Sequence, residues 1–260
     1  MLAESSGMAA APALARRAAA RRATPRLLLT PLLLAAVLSA LYLWVSSLSL
    51  DSIERRTLNT AYITARVGEH LRLTGMAVLL VVLIAIPLGI ALSRPAARWL
   101  SPLALGLANL GQATPAIGLL VLLTIRFGVG FRIALIGLVA YAVLPVLRNT
   151  IVGVQQVDPT LVEAARGMGM TRAQVLRRIE LKLAIPVILA GLRTSLVMAV
   201  GVATLATFVN AGGLGDIIVN GIKLNRTPVL VTGSVLTAAI AFLVDWAGGV
   251  AEDLLRPRGV

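Results

Sequence analysis

Residues 144–181 read LPVLRNTIVGVQQVDPTLVEAARGMGMTRAQVLRRIEL, and the change of character within this stretch decides the fold. It starts as the tail of an apolar run and passes at Gln155 into a polar, basic segment that lasts to Ala184. Two helix starts are written into that segment. Asp158 stands where an N-cap would, with Pro159 at the first helical position, where a missing N–H does no harm. Thr171 opens a second helix, and Gln174 three residues on completes a capping box. Gly167 and Gly169 interrupt the chain between the two. The second helix carries Arg172, Arg177, Arg178 and Lys182 beside Val175, Leu176 and Ile179, so it is amphipathic and basic.

The flanks of this segment are apolar, and so is most of the chain. Of its 260 residues 58% are hydrophobic and only 13% charged, against about a quarter charged in soluble domains. A bilayer core about 30 Å thick needs roughly 20 apolar helical residues. Six stretches qualify: residues 27–50, 73–92, 103–125, 133–154, 185–209 and 229–250. Backbone groups in lipid must bond within their own segment, and the short alternating strands of a barrel are missing, so the chain reads as all-α and membrane-spanning. There is no cysteine, hence no disulfide, no thiol nucleophile and no Cys-ligated metal. The single histidine, His70, builds no metal cluster and reads as interfacial at the start of the second span.

The net charge of +13 follows topology. With the N-terminus in the cytoplasm, 16 of the 24 Lys and Arg residues fall inside and 8 outside, which favours both termini in the cytoplasm. Trp44, Trp99 and Trp246 stand near span ends, as interfacial aromatics do. The basic stretch 1–26 reads as a disordered cytoplasmic tail. Residues 27–50 read as an uncleaved first span, since the run is too long for a signal-peptide core and no small-x-small site closes it.

The spacing within residues 155–184 leaves three readings open. They are a solvated loop held on one side by its charge, an element docking in a groove of a soluble partner, and a DNA-reading helix pair, the least favoured because membrane spans tether both its ends. A resemblance separates them. Glu163-Ala164-Ala165, three residues and then Gly169 resemble the EAA signature of binding-protein-dependent ABC permeases. Ile179 and Leu181 fall at the signature's later positions, but Lys182 stands where proline is usual, which puts the helix end there in doubt. The stretch quoted above, with NLGQATPAIGLLVLL at 109–123 and FVNAGGLGDIIVNGI at 208–222, is similar to the branch carrying glycine betaine, carnitine and choline. The likeness covers about residues 70–255, and the first span lies outside it.

The resemblance implies the type I ABC importer permease fold, with the segment at 155–184 as a cytoplasmic coupling loop that docks on an ATPase. Glu163, Ala164, Ala165, Gly167, Gly169, Ile179 and Leu181 are its coupling residues. It further implies a bacterial plasma-membrane transport subunit, not an enzyme, with no catalytic or metal site. Its partners are ABC ATPase subunits, an extracytoplasmic binding protein, a second permease copy or paralogue and membrane lipid, without nucleic acid. No Gly-x-x-x-x-Gly-Lys-Ser/Thr is present, so ATP and Mg belong to the partner and this chain binds no cofactor.

Candidate path residues are Asn109, Gln112, Thr114 and Pro115 in the third span, whose alternative role is interhelical bonding. Gly212, Gly213 and Gly215 mark a turn or re-entrant break near a gate, or a flexible outer loop. Asn149 and Thr150 are expected to brace the loop. Arg193 and Asp245 read as ion-paired or interfacial rather than as a proton relay. The rival functions are an ABC permease for an amino acid or sulfonate, and a secondary transporter; the latter would need intramembrane acids or an inverted repeat.

Overall fold

The computed structural model describes residues 28–255, and every regular element among them is helical. The tail at 1–26 lies outside the described residues. In chain order the elements are α1 (Leu28–Ser46), α2 (Ser52–Thr57), α3 (Thr60–Leu92), a 3-10 turn at Arg98–Leu100, α4 (Ser101–Ala113) and α5 (Ala116–Phe127). There follow α6 (Phe131–Gln155), α7 (Pro159–Gly167), α8 (Arg172–Val175), a π-helical turn at Leu176–Glu180 and α9 (Leu181–Ala203). A 3-10 turn at Thr204–Val209, α10 (Leu214–Lys223) and α11 (Thr227–Leu255) complete the order. Five described helices are long and apolar enough to cross a membrane, and the α4–α5 pair makes a sixth crossing if it is one span.

The core is α3, α6 and α9, and small residues build it. Ala77, Ala85, Ala134, Ala142, Ala184, Ala199 and Ala203 are buried, whereas Leu79, Leu83, Leu107 and Leu122 point outwards. That is the inverse of a soluble bundle. Lipid tails are as apolar as leucine, so leucine gains little by turning inwards, while small side chains let backbones approach. Ser195 of α9 adds a buried hydrogen bond to the Ala142 carbonyl of α6 at 2.8 Å. Larger side chains pack among them in two clusters: Val78, Val81, Leu147 and Ile151 in one, Leu73, Leu120, Leu138 and Val209 in the other. The α1 span is peripheral, with none of its apolar window buried.

Four expectations need correction. The second span is expected at 73–92, but α3 starts at Thr60 and runs 33 residues. Its first turns are polar and escape a hydropathy reading, yet the Asn59 side chain caps them through the Tyr62 N–H at 2.8 Å. His70 is therefore not interfacial but wholly buried within the bundle. The third span is not one rod. Thr114 and Pro115 take extended backbone, and α4 meets α5 at 96°. Pro115 drives Thr114 out of helical geometry, and α5 starts anew behind it. The basic helix after Thr171 is not a separate short element either. It continues through the π-turn into α9: Lys182 keeps the N–H that a proline would lack, and Pro186 is carried inside the helix.

Candidate functional site

The polar loop is built from its caps inwards. The Asp158 carboxylate accepts from the Thr160 N–H at 2.8 Å, and this bond, with the Thr160 hydroxyl, holds the carboxyl below the usual carboxylate range. Pro159 then starts α7. At its other end Gly169 has φ +82°, a left-handed turn that a side chain would strain. The Met170 N–H reaches back to the Ala165 carbonyl at 3.1 Å and closes the corner. Thr171 and Gln174 form the reciprocal capping box, with bonds of 2.8 and 3.3 Å.

This construction divides the signature residues. Ala165 is buried, whereas Leu161, Glu163, Ala164, Gly167 and Met168 are exposed. Leu161 and Met168, seven positions apart and 49% and 72% exposed, share one face with Ala164, while Glu163 and Arg166 stand exposed on the other. Ile179 and Leu181 are half-buried where the π-turn joins α9. A π-turn inside a long helix is a recurrent mark of functional sites.

One residue of the π-turn escapes sequence reading. Glu180 is 7% exposed and is held by Arg94, just beyond α3, through Nη1–Oε1 at 3.1 Å and Nη2–Oε2 at 2.6 Å. A two-point guanidinium–carboxylate pair is directional as well as strong. It ties the end of α3 to the helix on which α7 rests. Asn149 and Thr150 do not brace the loop as expected. Asn149 packs against Gly191 of α9, and the Thr150 hydroxyl turns back to the Val146 carbonyl at 2.7 Å.

The path candidates of the third span do not act as one group. Asn109 is exposed, and the Thr114 hydroxyl satisfies the Leu110 carbonyl at 2.8 Å. Gln112 alone reaches another helix, donating to Met198 Sδ of α9 at 3.5 Å. Pro115 makes the break itself.

At the end of the bundle opposite the loop, Gly212 and Gly213 have φ +76° and +95°. The turn they make is built, not a flexible loop. The Gly213 N–H donates to Glu69 Oε2 at 2.9 Å, and Arg66 Nη1 binds both Glu69 Oε2 at 2.8 Å and Asp216 Oδ2 at 2.7 Å. The Thr207 hydroxyl completes the set by donating to Asp216 Oδ1. Gly215 lies against the Thr204 carbonyl, with no room for a Cβ. His70 Nδ1 would stand 3.2 Å from a Cβ at Gly213. Among the described residues no cluster of His, Asp and Glu could hold a metal ion.

A family model described as "Binding-protein-dependent transport system inner membrane component" matches residues 85–257. The chain belongs to this family. The permease is 40% identical over 200 residues to the carnitine transport permease protein OpuCD of Listeria monocytogenes, covering 76% of this chain and 89% of that one. It is 38% identical over 195 residues to the glycine betaine/carnitine/choline permease protein OpuCB of Bacillus subtilis, covering 75% and 89%. Against the osmoprotectant import permease protein OsmW of Salmonella typhimurium the identity is 35% over 216 residues, covering 81% and 100%. Among solved structures, an inward-facing MetNI methionine ABC transporter superposes with a TM-score of 0.66 at 25% identity, covering 75% of this chain and 96% of that one. The fold is thus that of an ABC importer permease, and the chain is a multi-pass inner-membrane component.

Proposed function

We propose that this permease carries small osmoprotectants of the glycine betaine, carnitine or choline kind, received from an extracytoplasmic binding protein and driven by a separate ATPase. The observation that carries the reading is the exposed surface of α7, with Leu161, Ala164 and Met168 on one face and Glu163 and Arg166 on the other, held by caps at both ends. A short helix of fixed direction, with one apolar face and a charged one, suits a groove in a soluble partner. The names of the relatives support the cargo. ATP and Mg are held by the partner, and this chain contributes no catalytic group. Two permease copies, identical or paralogous, enclose one path.

Both termini lie in the cytoplasm in this reading, which puts α7 and Arg94–Glu180 on the ATPase side. Closure of the ATPases draws two α7 helices together. The load passes through the π-turn into α9 and through Glu180 to Arg94 at the end of α3. The MetNI likeness does not favour methionine: at 25% identity it carries the fold, whereas the relatives at 35–40% support the cargo.

Uptake of radiolabelled glycine betaine, choline and carnitine by cells carrying the whole transporter, with and without Glu163–Gly169, tests this. Uptake that requires the segment is the expected result. Normal uptake in its absence removes the coupling role, and no uptake of any of the three by the assembled complex removes the cargo.

A further inference from the structure

Arg193 of α9 and Asp245 of α11 form a two-point ion pair, Nε–Oδ1 and Nη2–Oδ2, both 2.6 Å. The pair is not sealed inside the bundle, since the two side chains are 37% and 40% exposed. Its depth follows from the helices. At 1.5 Å per residue Arg193 stands about 18 Å along α9 from Leu181, and Asp245 about 15 Å back from the end of α11. Both charges thus lie inside the apolar length of their helices. Bare charge at that depth is costly against lipid tails but stable against water or another polar surface.

The surroundings differ by side: Leu189, Leu192, Leu196 and Val244 flank Arg193 on one, and polar groups join the pair on the other. A pocket of about 420 Å³ opens on the pair, its other walls being Ala190, Thr194, Val197, Met198 and Glu252. Thr194 and Glu252 are polar and Ala190, Val197 and Met198 apolar, but no leucine stands among them, in contrast to Leu79 and Leu83 on α3, which are 57% and 60% exposed. Gln112 meets Met198, so the pocket borders the break between α4 and α5. Gly248 of α11 leaves room for the stem of Arg193, as a Cβ there would lie 3.1 Å from Arg193 Cγ. The guanidinium is therefore positioned by packing as well as by its carboxylate partner.

We propose that this pocket is the inner, water-filled section of the solute path and a weak site for a small zwitterion. Arg193 receives the carboxylate, and Asp245 with Glu252 receives the quaternary ammonium end. The ligand, though not the water, rests on the cargo reading above. Asp245 and Glu252 are two turns apart on one face of α11, about 10 Å along its axis, so a cation leaving one carboxylate meets the next. In the structure the pair closes on itself. A zwitterion brings one charge of each sign and exchanges with both partners, leaving neither bare. No aromatic ring lines the pocket, so the onium end finds no cage and the solute is not trapped.

The absence of cysteine from the chain makes a direct test available. Thr194→Cys and Val197→Cys, each in the whole transporter in membranes, are treated with a water-soluble cationic thiosulfonate, with Leu83→Cys as the lipid-facing reference. Modification at 194 and 197 is expected to be at least about tenfold faster than at 83, and slowed by millimolar glycine betaine. Equal rates overturn the proposal, and faster rates untouched by betaine overturn its ligand.

The exchange Arg193→Asp with Asp245→Arg keeps a pair to brace α9 on α11 but reverses its polarity. The expected result is an assembled complex with glycine betaine uptake lower by about tenfold. Uptake at the original level makes the pair a brace only. If the exchanged chain does not assemble, Glu252→Gln decides: a KM for betaine higher by about threefold supports the site, and an unchanged KM overturns it. The unmodified transporter separates the two readings. If it carries no betaine the cargo reading fails, while the modification rates still decide whether the pocket is wet.

Discussion

The two ends of the bundle each carry a turn at a left-handed glycine, and they are made in opposite ways. At the loop end, Gly169 has open space around it, and the caps that flank it reach only two or three residues along the chain. At the far end, Gly213 is enclosed by residues from α3, and the ties that hold it run from Arg66 and Glu69 to partners some 150 positions away. The first turn is a local structure presented to solvent. The second is a tertiary structure that exists only if α3, the Thr204–Val209 turn and α10 are packed. A surface meant for a partner can be written locally, because its contacts lie in another molecule. A joint between helices cannot.

The comparison can be broken most sharply by deleting Glu163–Gly169. Transport is expected to fall to background while the protein stays in the membrane, read by uptake beside membrane fractionation. Gly169→Asp should uncouple in the same sense, with ATP hydrolysis losing its response to the loaded binding protein. At the far end the effect should appear in stability instead. Asp216→Ala removes one partner of Arg66, whose side chain is 23% exposed, and is expected to cost about 2 kcal/mol in thermal unfolding of the solubilised protein. Alanine at the two glycines sharpens the contrast. Gly169→Ala pays only for its backbone angle, about 1 kcal/mol, whereas Gly213→Ala also meets His70 and should cost more. Glu180→Gln is expected to leave the fold intact and lower binding-protein-stimulated ATP hydrolysis about threefold, as the pair with Arg94 loses its charge. The smallest effect is that of Asp158→Ala, seen as amide exchange about fivefold faster in the first turn of α7.

The polar segment at 155–184 was largely legible. Its caps at Asp158 and Thr171, its corner at Gly169 and its exposed Glu163 all follow from neighbours within a few positions. Glu180 was not, because its partner Arg94 stands 86 positions away and nothing in the spacing points from one to the other. Arg193 and Asp245 read as ion-paired or interfacial, and they pair with one another. The far-end turn was underestimated for the same reason: three glycines announce a bend but not what encloses it. Thr114–Pro115 was marked as polar, yet an unbroken apolar run of adequate length concealed the 96° break.

By itself the sequence determined how many apolar lengths the chain has, where its one large polar segment lies and how that segment is capped, since each depends on length, charge or bonds between near neighbours. The tertiary structure decided which face of each span turns inwards. In lipid, hydropathy says that a helix is immersed but not how it is rotated: Leu79 and Leu83 turned outwards, Leu138 and Leu147 inwards, and His70 was buried. It likewise decided which charges meet, across 52, 86 and 150 positions. Such pairs form only where packed faces bring them together, and in a membrane the need to answer each charge then holds them there.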